Sequence, residues 1–259
     1  MTETVETVRH GAVFQILLNR PERINALGPE LVAGLVAALE QAQNPEIRAV
    51  ALRGKGPGFC AGGDIKEFGA ALDHDGLDAS MLEGLHRCVE TIQALPKPVV
   101  ALVHGPCAGA GVSLMLACDL AIASMEATFN LAYLGIGLSP DGGSTYFVPR
   151  HVGRKKAFEL FASARTFGVH EALDLGLINR FVPTGELPKA GRDLLMGLAA
   201  GPTAALGRLK HLLHQSFDHD LRGQLGAEAQ QVEASAKTRD FAEGVAAFIE
   251  KRKPIFEGS

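Results

Sequence analysis

The sequence predicts an α/β fold with a largely parallel sheet. Short apolar runs alternate with longer segments in which apolar residues recur at helical spacing. Strands separated by helices favour parallel pairing through right-handed crossovers. The chain has 259 residues and is 47% hydrophobic, which is enough to bury a full core without disulfides or a structural metal ion.

The predicted elements follow one another through the first half of the chain. Strands are predicted at residues 13–19, 48–54, 99–103 and 120–123. Helices are predicted at residues 29–43, 80–94 and 107–118. Pro29 suits the first turn of its helix, and Pro96 ends the second one. A polar loop is predicted at residues 74–78.

Beyond residue 152 the pattern becomes mostly helical. Helices are predicted at residues 155–163, 169–175, 188–200, 202–217 and 228–251. We therefore divide the chain into an α/β core, residues 1–190, and a C-terminal helical segment, residues 191–259. Because no Gly/Ser-rich linker separates them, we expect the second part to pack on the core or on a neighbouring subunit.

Composition and charge exclude several classes of protein. The net charge of −4 argues against a nucleic-acid-binding protein with a basic stripe. The four cysteines form no C-x-x-C pair, which fits a reducing compartment, and the N-terminus lacks the features of a secretory signal. Residues 99–118 are apolar enough to imitate a membrane span, but Gly105-Pro106 breaks them into a strand and a helix. We expect a soluble, cytoplasmic protein without nucleic-acid or membrane partners.

Three glycine-rich segments are candidates for chemistry: residues 58–65, 105–111 and 134–144. Backbone N–H groups in the first two could face an anion or a developing oxyanion, and the second begins a helix whose dipole favours negative charge. The third contains Asp141, a candidate general base if it is desolvated. Each segment alone also fits an ordinary turn or close helix packing. The second also resembles a dinucleotide loop, although neither Tyr133 nor Tyr146 has the lysine four residues later that short-chain dehydrogenases use.

Together, the order and flanks of these segments resemble the crotonase superfamily, the enoyl-CoA hydratase/isomerase group. The motifs that carry the resemblance are residues 18–27, 59–64, 105–119, 140–153 and 248–254. It implies a crotonase-like ββα superhelix with a helical C-terminal trimerisation segment. It also implies acyl-CoA thioesters as substrates and a homotrimer or a dimer of trimers.

The resemblance assigns roles to individual residues. It places the two backbone N–H groups that hold the thioester oxygen of an enolate on Gly63 and Ala110, and a catalytic acid/base on Asp141. It places substrate-binding residues at Arg23, Ile24, Ala26, Cys60, Gly62, Asp64, Ile65, Tyr133 and Gly137. Coenzyme A enters as part of the substrate, and no further cofactor is implied.

The reaction is predicted from departures within the family pattern. Hydratases of this group carry glutamates where this chain has Ser113 and Tyr133, so simple hydration is not expected. Asp141 matches the acid that isomerases of the family use, and one carboxylate suits proton transfer between two carbons of an enolate. A dehalogenase of the family also uses an aspartate at this position, as a nucleophile assisted by a histidine. His86 matches that histidine, although a surface role fits it equally well.

Double-bond isomerisation with Asp141 as acid/base is therefore the predicted activity. The alternatives are an enoyl-CoA hydratase with non-standard residues and a non-catalytic acyl-CoA-binding protein, with a dehydrogenase more distant. His211, His214 and Asp218 share a helical face, but without further ligands we predict a solvated surface and no metal site.

Overall fold

A six-stranded sheet organises the computed structural model, which describes residues 3–71 and 79–259. The strands of the described chain are β1 Val5–His10, β2 Val13–Leu18, β3 Ala49–Gly54, β4 Val99–Val103, β5 Pro106–Ala108, β6 Leu120–Ser124, β7 Thr128–Asn130, β8 Thr166–Gly168 and β9 Arg180–Val182. The main sheet has the order β1-β2-β3-β4-β6-β9; β1 pairs antiparallel with β2, and the other neighbours pair parallel. β5, β7 and β8 form a second, small sheet.

Helices cover both faces of the main sheet. They are α1 Pro29–Gln41, α2 Ile65–Ala71, α3 Ala79–Ala94, α4 Ala110–Ala117, α5 Ser144–Ser163, α6 Val169–Asp174, α7 Leu187–Ala199, α8 Thr203–Gln215, α9 Leu221–Ser235 and α10 Arg239–Ile249. Short 3₁₀ helices span Pro21–Arg23 and Ala132–Ile136. In the described part of the chain, none of these helices combines the length and hydropathy that a membrane crossing needs.

Side chains of the central strands point alternately to the two faces of the sheet, so the core has two layers. Val50 and Leu52 of β3 join the large cluster that contains buried residues of α1, α3 and α4. Ala49 and Ala51, which point the other way, pack with buried residues of α7. Because both faces are covered, β3 and β4 are apolar almost throughout, and this explains why the sequence marks them so clearly.

The structure confirms the α/β class and most of the predicted elements. The predicted strands correspond to β2, β3, β4 and β6, and the predicted helices at residues 29–43, 80–94, 169–175, 188–200 and 202–217 correspond to α1, α3, α6, α7 and α8. β1 was not predicted, because most of its side chains are exposed and carry no apolar alternation. The predicted loop at residues 74–78 lies outside the described residues.

Three predicted helices were wrong in their limits. The helix predicted at residues 107–118 begins only at Ala110, because residues 106–108 pair with β7 as β5. The helix predicted at residues 228–251 is two helices, since the Thr238 side chain accepts a hydrogen bond from the Phe241 N–H and starts α10. The helix predicted at residues 155–163 is the second part of α5, which continues from Ser144 through a kink at Gly153.

The predicted division at residue 190 falls inside α7. This helix packs on β2, β3, β4 and β6, and Leu187 and Leu195 are buried against the sheet. The division into a core and a C-terminal segment stays a prediction.

Candidate active site

Two glycine-rich segments meet beyond the carboxyl ends of β3 and β4. The backbone of Cys60 and Cys107 forms an isolated parallel bridge. The Ala108 N–H donates to the Cys60 carbonyl at 2.9 Å, and the Phe59 N–H donates to the Pro106 carbonyl at 3.1 Å. Segments far apart in sequence are therefore held side by side, as a shared site requires.

Glycines at positions 62 and 109 make this approach possible. Gly62 has φ +92° and Gly109 has φ +49°, conformations that L side chains rarely adopt. A Cβ atom on Gly62 would lie 2.9 Å from the Ala108 carbonyl oxygen and 3.4 Å from Gly109 Cα. The two segments thus touch through their backbones, with no room for a side chain between them.

The backbone N–H groups of Gly63 and Ala110 have no hydrogen-bond partner among the described residues. The neighbours of Gly63 are fixed, because the Leu27 N–H donates to the Gly62 carbonyl at 2.7 Å and the Asp64 N–H donates to the Leu27 carbonyl at 2.9 Å. Ala110 is the first residue of α4, where N–H groups lack partners within the helix. Both donors, and the positive end of the α4 dipole, are available to an anionic oxygen.

A buried asparagine that the sequence did not single out supports the first segment. Asn25 is fully buried with φ +55°, and its side-chain amide donates to the carbonyls of Lys55, Gly58 and Phe59 at 2.9, 2.9 and 3.2 Å. Its side-chain oxygen accepts the Arg20 N–H at 2.9 Å. The sequence analysis included it only as part of the motif at residues 18–27 that carries the family resemblance.

Most of the predicted substrate-binding residues lie along this junction. The Ala61 N–H donates to the Ile24 carbonyl at 2.9 Å, and the Cys60 thiol contacts the Asn25 carbonyl at 3.2 Å. Asp64 is 4% exposed and pairs with Arg20 at 2.9 Å and with Arg23 at 3.8 Å. Its carboxylate therefore holds the two loops together.

The other predicted substrate-binding residues differ in exposure. Ala26 is buried, and the Arg20 guanidinium donates to its carbonyl at 2.7 Å. Ile65 is exposed at the start of α2, and Gly137 is exposed at the end of the second 3₁₀ helix. Tyr133 is buried in that 3₁₀ helix and faces the third glycine-rich segment.

Asp141 is fixed mainly through its backbone. Its carbonyl oxygen accepts hydrogen bonds from the Ser144 hydroxyl at 2.9 Å, the Ser144 N–H at 3.0 Å and the Ser113 hydroxyl at 3.1 Å. The Tyr133 hydroxyl lies 3.4 Å from the same oxygen and 2.9 Å from the Ser113 hydroxyl. The Asp141 Oδ1 atom is buried and has no partner among the described residues.

Electrostatics at Asp141 are set by burial and two neighbours. Burial raises the pKa of its carboxyl above the usual range, while the nearby Tyr133 hydroxyl and the charge of His86 oppose that rise. Burial also raises the pKa of the Tyr133 hydroxyl, so that Tyr133 remains a protonated donor at neutral pH. His86 is exposed on α3, next to Leu85, which packs beside Gly142.

The cysteines near the junction are buried and unpaired. Burial raises the pKa of the Cys60 thiol to about 12 and that of the Cys107 thiol well above its usual range. Neither is therefore suited to act as a nucleophile at neutral pH. No group of three or more potential metal-ligating side chains, at residues 211–218 or elsewhere, occurs among the described residues.

The chain is similar to known proteins over nearly its whole length. The family model described as enoyl-CoA hydratase/isomerase matches residues 8–259. A probable enoyl-CoA hydratase of Rhodobacter capsulatus is 40% identical, covering 94% of this chain and 93% of its own. The 1,2-epoxyphenylacetyl-CoA isomerase of Escherichia coli is 35% identical, covering 95% of each chain. The crystal structure of an enoyl-CoA hydratase from Polaromonas sp. JS666 superposes with a TM-score of 0.94 at 36% identity, covering 98% of this chain and 99% of the other.

Proposed function

The chain belongs to the enoyl-CoA hydratase/isomerase family, and on this premise we propose that it isomerises a double bond in an acyl-CoA thioester with Asp141 as acid/base. The relatives named above include both hydratases and an isomerase, so the reaction depends on the residues of the site.

The backbone half of the site supports enolate chemistry. The unpaired N–H groups of Gly63 and Ala110 can donate to a thioester oxygen as it gains negative charge. Donors of this kind contribute about 2.7–4 kcal/mol each to transition-state stabilisation in comparable sites. The predicted substrate-binding residues beside them would hold the coenzyme A part of the substrate.

The observation that carries the proposal is the half-buried carboxyl group of Asp141, whose Oδ1 atom has no partner in the described structure. This carboxylate can remove a proton from one carbon, breaking the C–H bond to give a dienolate, and return it to another carbon. The step balances as a proton transfer, so it requires neither a redox group nor a metal ion, and coenzyme A takes part only as a portion of the substrate.

The positions that carry glutamates in hydratases support the same conclusion. Ser113 and Tyr133 are buried and hydrogen-bonded to one another. Neither hydroxyl ionises near neutral pH, and burial makes Tyr133 still less acidic. A pair of carboxylates that could activate water is therefore missing from these two positions.

The test compares isomerisation and hydration by the same protein. A panel of acyl-CoA thioesters is incubated with the protein, and the products are separated by chromatography and identified by mass, since an isomer keeps the mass of its substrate and a hydrated product gains one water. We expect isomers, and we expect Asp141→Asn to lower kcat by about 10²–10⁴ while acyl-CoA binding persists. Hydration that Asp141→Asn preserves would establish the hydratase alternative, and binding without turnover would indicate a non-catalytic protein. Either result contradicts the proposal.

We also propose that the protein is a homotrimer or a dimer of trimers. α9 buries none of its residues within the described chain, and Leu221 and Val232 are among its exposed apolar side chains. In α10, Phe248 is 86% exposed. A second copy would cover these surfaces, and a monomer in light scattering at working concentration would contradict the proposal.

The four unpaired cysteines support a reducing compartment such as the cytoplasm.

A further inference from the structure

We propose that Asn25 is a positioning residue for the Gly63 N–H donor: its buried side-chain amide fixes the segment that carries this donor, and so sets where the donor meets the thioester oxygen. The inference rests on the proposed function, since Gly63 is one of the two donors proposed to hold that oxygen. Asn25 itself is completely buried and acts through other residues. It should therefore affect turnover without contacting the substrate.

The side chain of Asn25 joins the two ends of the turn that follows β3. Its amide nitrogen lies 2.9 Å from the carbonyl oxygens of Lys55 and Gly58 and 3.2 Å from that of Phe59, so its two hydrogens are shared among three acceptors. Among the described residues, none of these carbonyls accepts a hydrogen bond from another group. Room for the amide comes from Gly54, where a Cβ atom would lie 2.7 Å from the Asn25 nitrogen. The amide therefore sets the shape of this turn.

The backbone of Asn25 is fixed as well as its side chain. Its φ angle of +55° lies in the left-handed region, which asparagine tolerates better than most residues. The Asn25 N–H donates to the Arg20 carbonyl at 2.9 Å, and the Arg20 N–H donates to the Asn25 side-chain oxygen at 2.9 Å. Both polar groups of the side chain are therefore engaged, and the course of the chain into residues 26–27 is set.

Residues 24–27 in turn fix the direction of the Gly63 donor. Leu27 and Gly63 form an isolated parallel bridge. The Leu27 N–H donates to the Gly62 carbonyl at 2.7 Å, and the Leu27 carbonyl accepts the Asp64 N–H at 2.9 Å. In such a bridge the neighbours of the central residue bond to the partner, and its own N–H points to the opposite side. The Gly63 N–H therefore faces away from Leu27, and any shift of residues 24–27 moves it.

The same side chain influences the distance between the two donors. Asn25 donates to the Phe59 carbonyl at 3.2 Å. The N–H groups of Phe59 and Cys60 donate to the Pro106 carbonyl at 3.1 and 3.2 Å, and Pro106 begins β5, which leads to the Ala110 donor. A change at Asn25 should therefore misplace one donor relative to the other. A displacement of about 1 Å can lower turnover by about 10²-fold.

The experiment measures the polarisation of a bound thioester by ¹³C NMR. The probe is butyryl-CoA labelled with ¹³C at the thioester carbonyl; it has no double bond to move, so the measurement needs no turnover. Hydrogen bonds from both donors should move its resonance downfield when it binds to the unaltered protein.

Asn25→Asp keeps the acceptor for the Arg20 N–H and deletes the amide hydrogens. We expect this variant to reduce the downfield shift by about half, since one of the two donors is displaced. It should also lower kcat by about 10–10²-fold, while KM changes by less than about threefold.

Two comparisons separate positioning from general stability. Lys97→Met removes a buried amine that donates to the carbonyls of Ala42 and Asn44 at 2.9 and 2.8 Å, beyond the end of α1 and outside the site. Because both carbonyls lose this donor, the free energy of unfolding should fall, while the resonance and kcat stay unchanged. Ala110→Pro deletes the second donor outright and gives the reduction in shift expected for one lost donor.

A full downfield shift or an unchanged kcat in folded Asn25→Asp protein would overturn the inference. If Asn25→Asp does not fold, Asn25→Gly removes the same amide and accepts the left-handed conformation, so the same changes are expected of it. Failure of both variants to fold would also contradict the inference, because the amide would then be required for the fold as a whole.

The inference and the proposed function fail on different results. A resonance that does not move on binding to the unaltered protein would refute the role of the Gly63 donor, and the inference with it, even if the protein isomerises its substrate. A reduced shift with a lower kcat in Asn25→Asp would support the inference even if Asp141→Asn retained isomerisation, which is the result that defeats the proposed function. If the protein has no turnover, the shift alone decides.

Discussion

The two halves of the site offer different kinds of functional group, one from the backbone and the other from side chains. At the junction of residues 59–64 and 106–110, the groups available for binding are backbone N–H donors, and side chains such as Asn25 serve to hold loops in place. Around Asp141, the hydroxyl groups of neighbouring side chains converge on the backbone carbonyl of the residue that carries the carboxylate. The first half should therefore tolerate changes of side chains other than those that hold its loops and should fail when the backbone changes, whereas the second should depend on single functional groups.

The sharpest change in the backbone half is Ala110→Pro. It deletes one N–H donor at the first position of α4, where proline suits helix geometry, so the protein should fold. We expect kcat to fall by about 10²–10³, as for the loss of one oxyanion donor. Ala110→Gly keeps the N–H group and should cost far less. Equal losses in the two variants, measured by steady-state kinetics, would refute the assignment of this donor.

Gly62→Ala tests the close approach of the two segments. The new Cβ atom would meet the Ala108 carbonyl at 2.9 Å at a residue with φ +92°, so both stability and turnover should decline. We expect kcat/KM to fall by about tenfold, with a loss of unfolding free energy greater than that of Gly11→Ala. Gly11 also has positive φ, but a Cβ atom added there would have no other atom within 4 Å among the described residues.

Gly11→Ala should cost only about 1–2 kcal/mol and leave turnover unchanged, because the residue lies in the turn between β1 and β2, away from the site. Denaturant unfolding and kinetics on both variants check this pair. If Gly62→Ala and Gly11→Ala turned over substrate at the same rate, the close approach at Gly62 would matter no more to activity than an ordinary turn, contrary to this prediction.

In the half of the site around Asp141, the carboxylate that serves the reaction should lower the stability of the fold. Burial raises the pKa of Asp141 in the folded state, so the native protein binds this proton more tightly than the unfolded chain does. The bound proton therefore stabilises the fold at low pH, and this contribution is lost as the pH rises through the raised pKa. Asp141→Asn should therefore have a higher melting temperature than the unaltered protein at pH 7, by about a few degrees at most. The difference in melting temperature should become smaller as the pH falls and Asp141 becomes protonated.

Calorimetric melting between pH 4 and 8 tests this expectation. A variant that melts lower at every pH would show that the carboxylate stabilises the fold, contrary to its burial with one unpaired oxygen.

The smallest expected effect concerns the thiols of the backbone half. The buried Cys60 and Cys107 should resist iodoacetamide at pH 7.5 for hours in the native protein, since their raised pKa values leave almost no thiolate. Mass spectrometry of native and urea-unfolded samples provides the comparison. Rapid alkylation of Cys60 in the native protein would mean that this half opens more than its packing indicates.

The sequence identified patterns that are local or ordered along the chain. The apolar runs of β3 and β4 predicted buried strands, and the sequence of three glycine-rich segments predicted a shared site. The first prediction follows from short-range physics, because a strand buried on two faces must be apolar, whereas the second followed from the resemblance to the family. Element limits were less accurate where pairing with distant strands decided them, as at residues 106–108, which joined β7 in place of α4.

Composition, the α/β class and the resemblance to the family were determined by the sequence itself. The tertiary structure alone decided that Asn25 ties residue 20 to residues 55–59, and that Ser113, Tyr133 and Ser144 converge on the carbonyl of Asp141. These hydrogen bonds join groups from different helices and loops, and their partners have no characteristic spacing along the chain. Burial, which raises the pKa of Asp141, is likewise a property of the packed fold, because it depends on every element that excludes water from the carboxyl group.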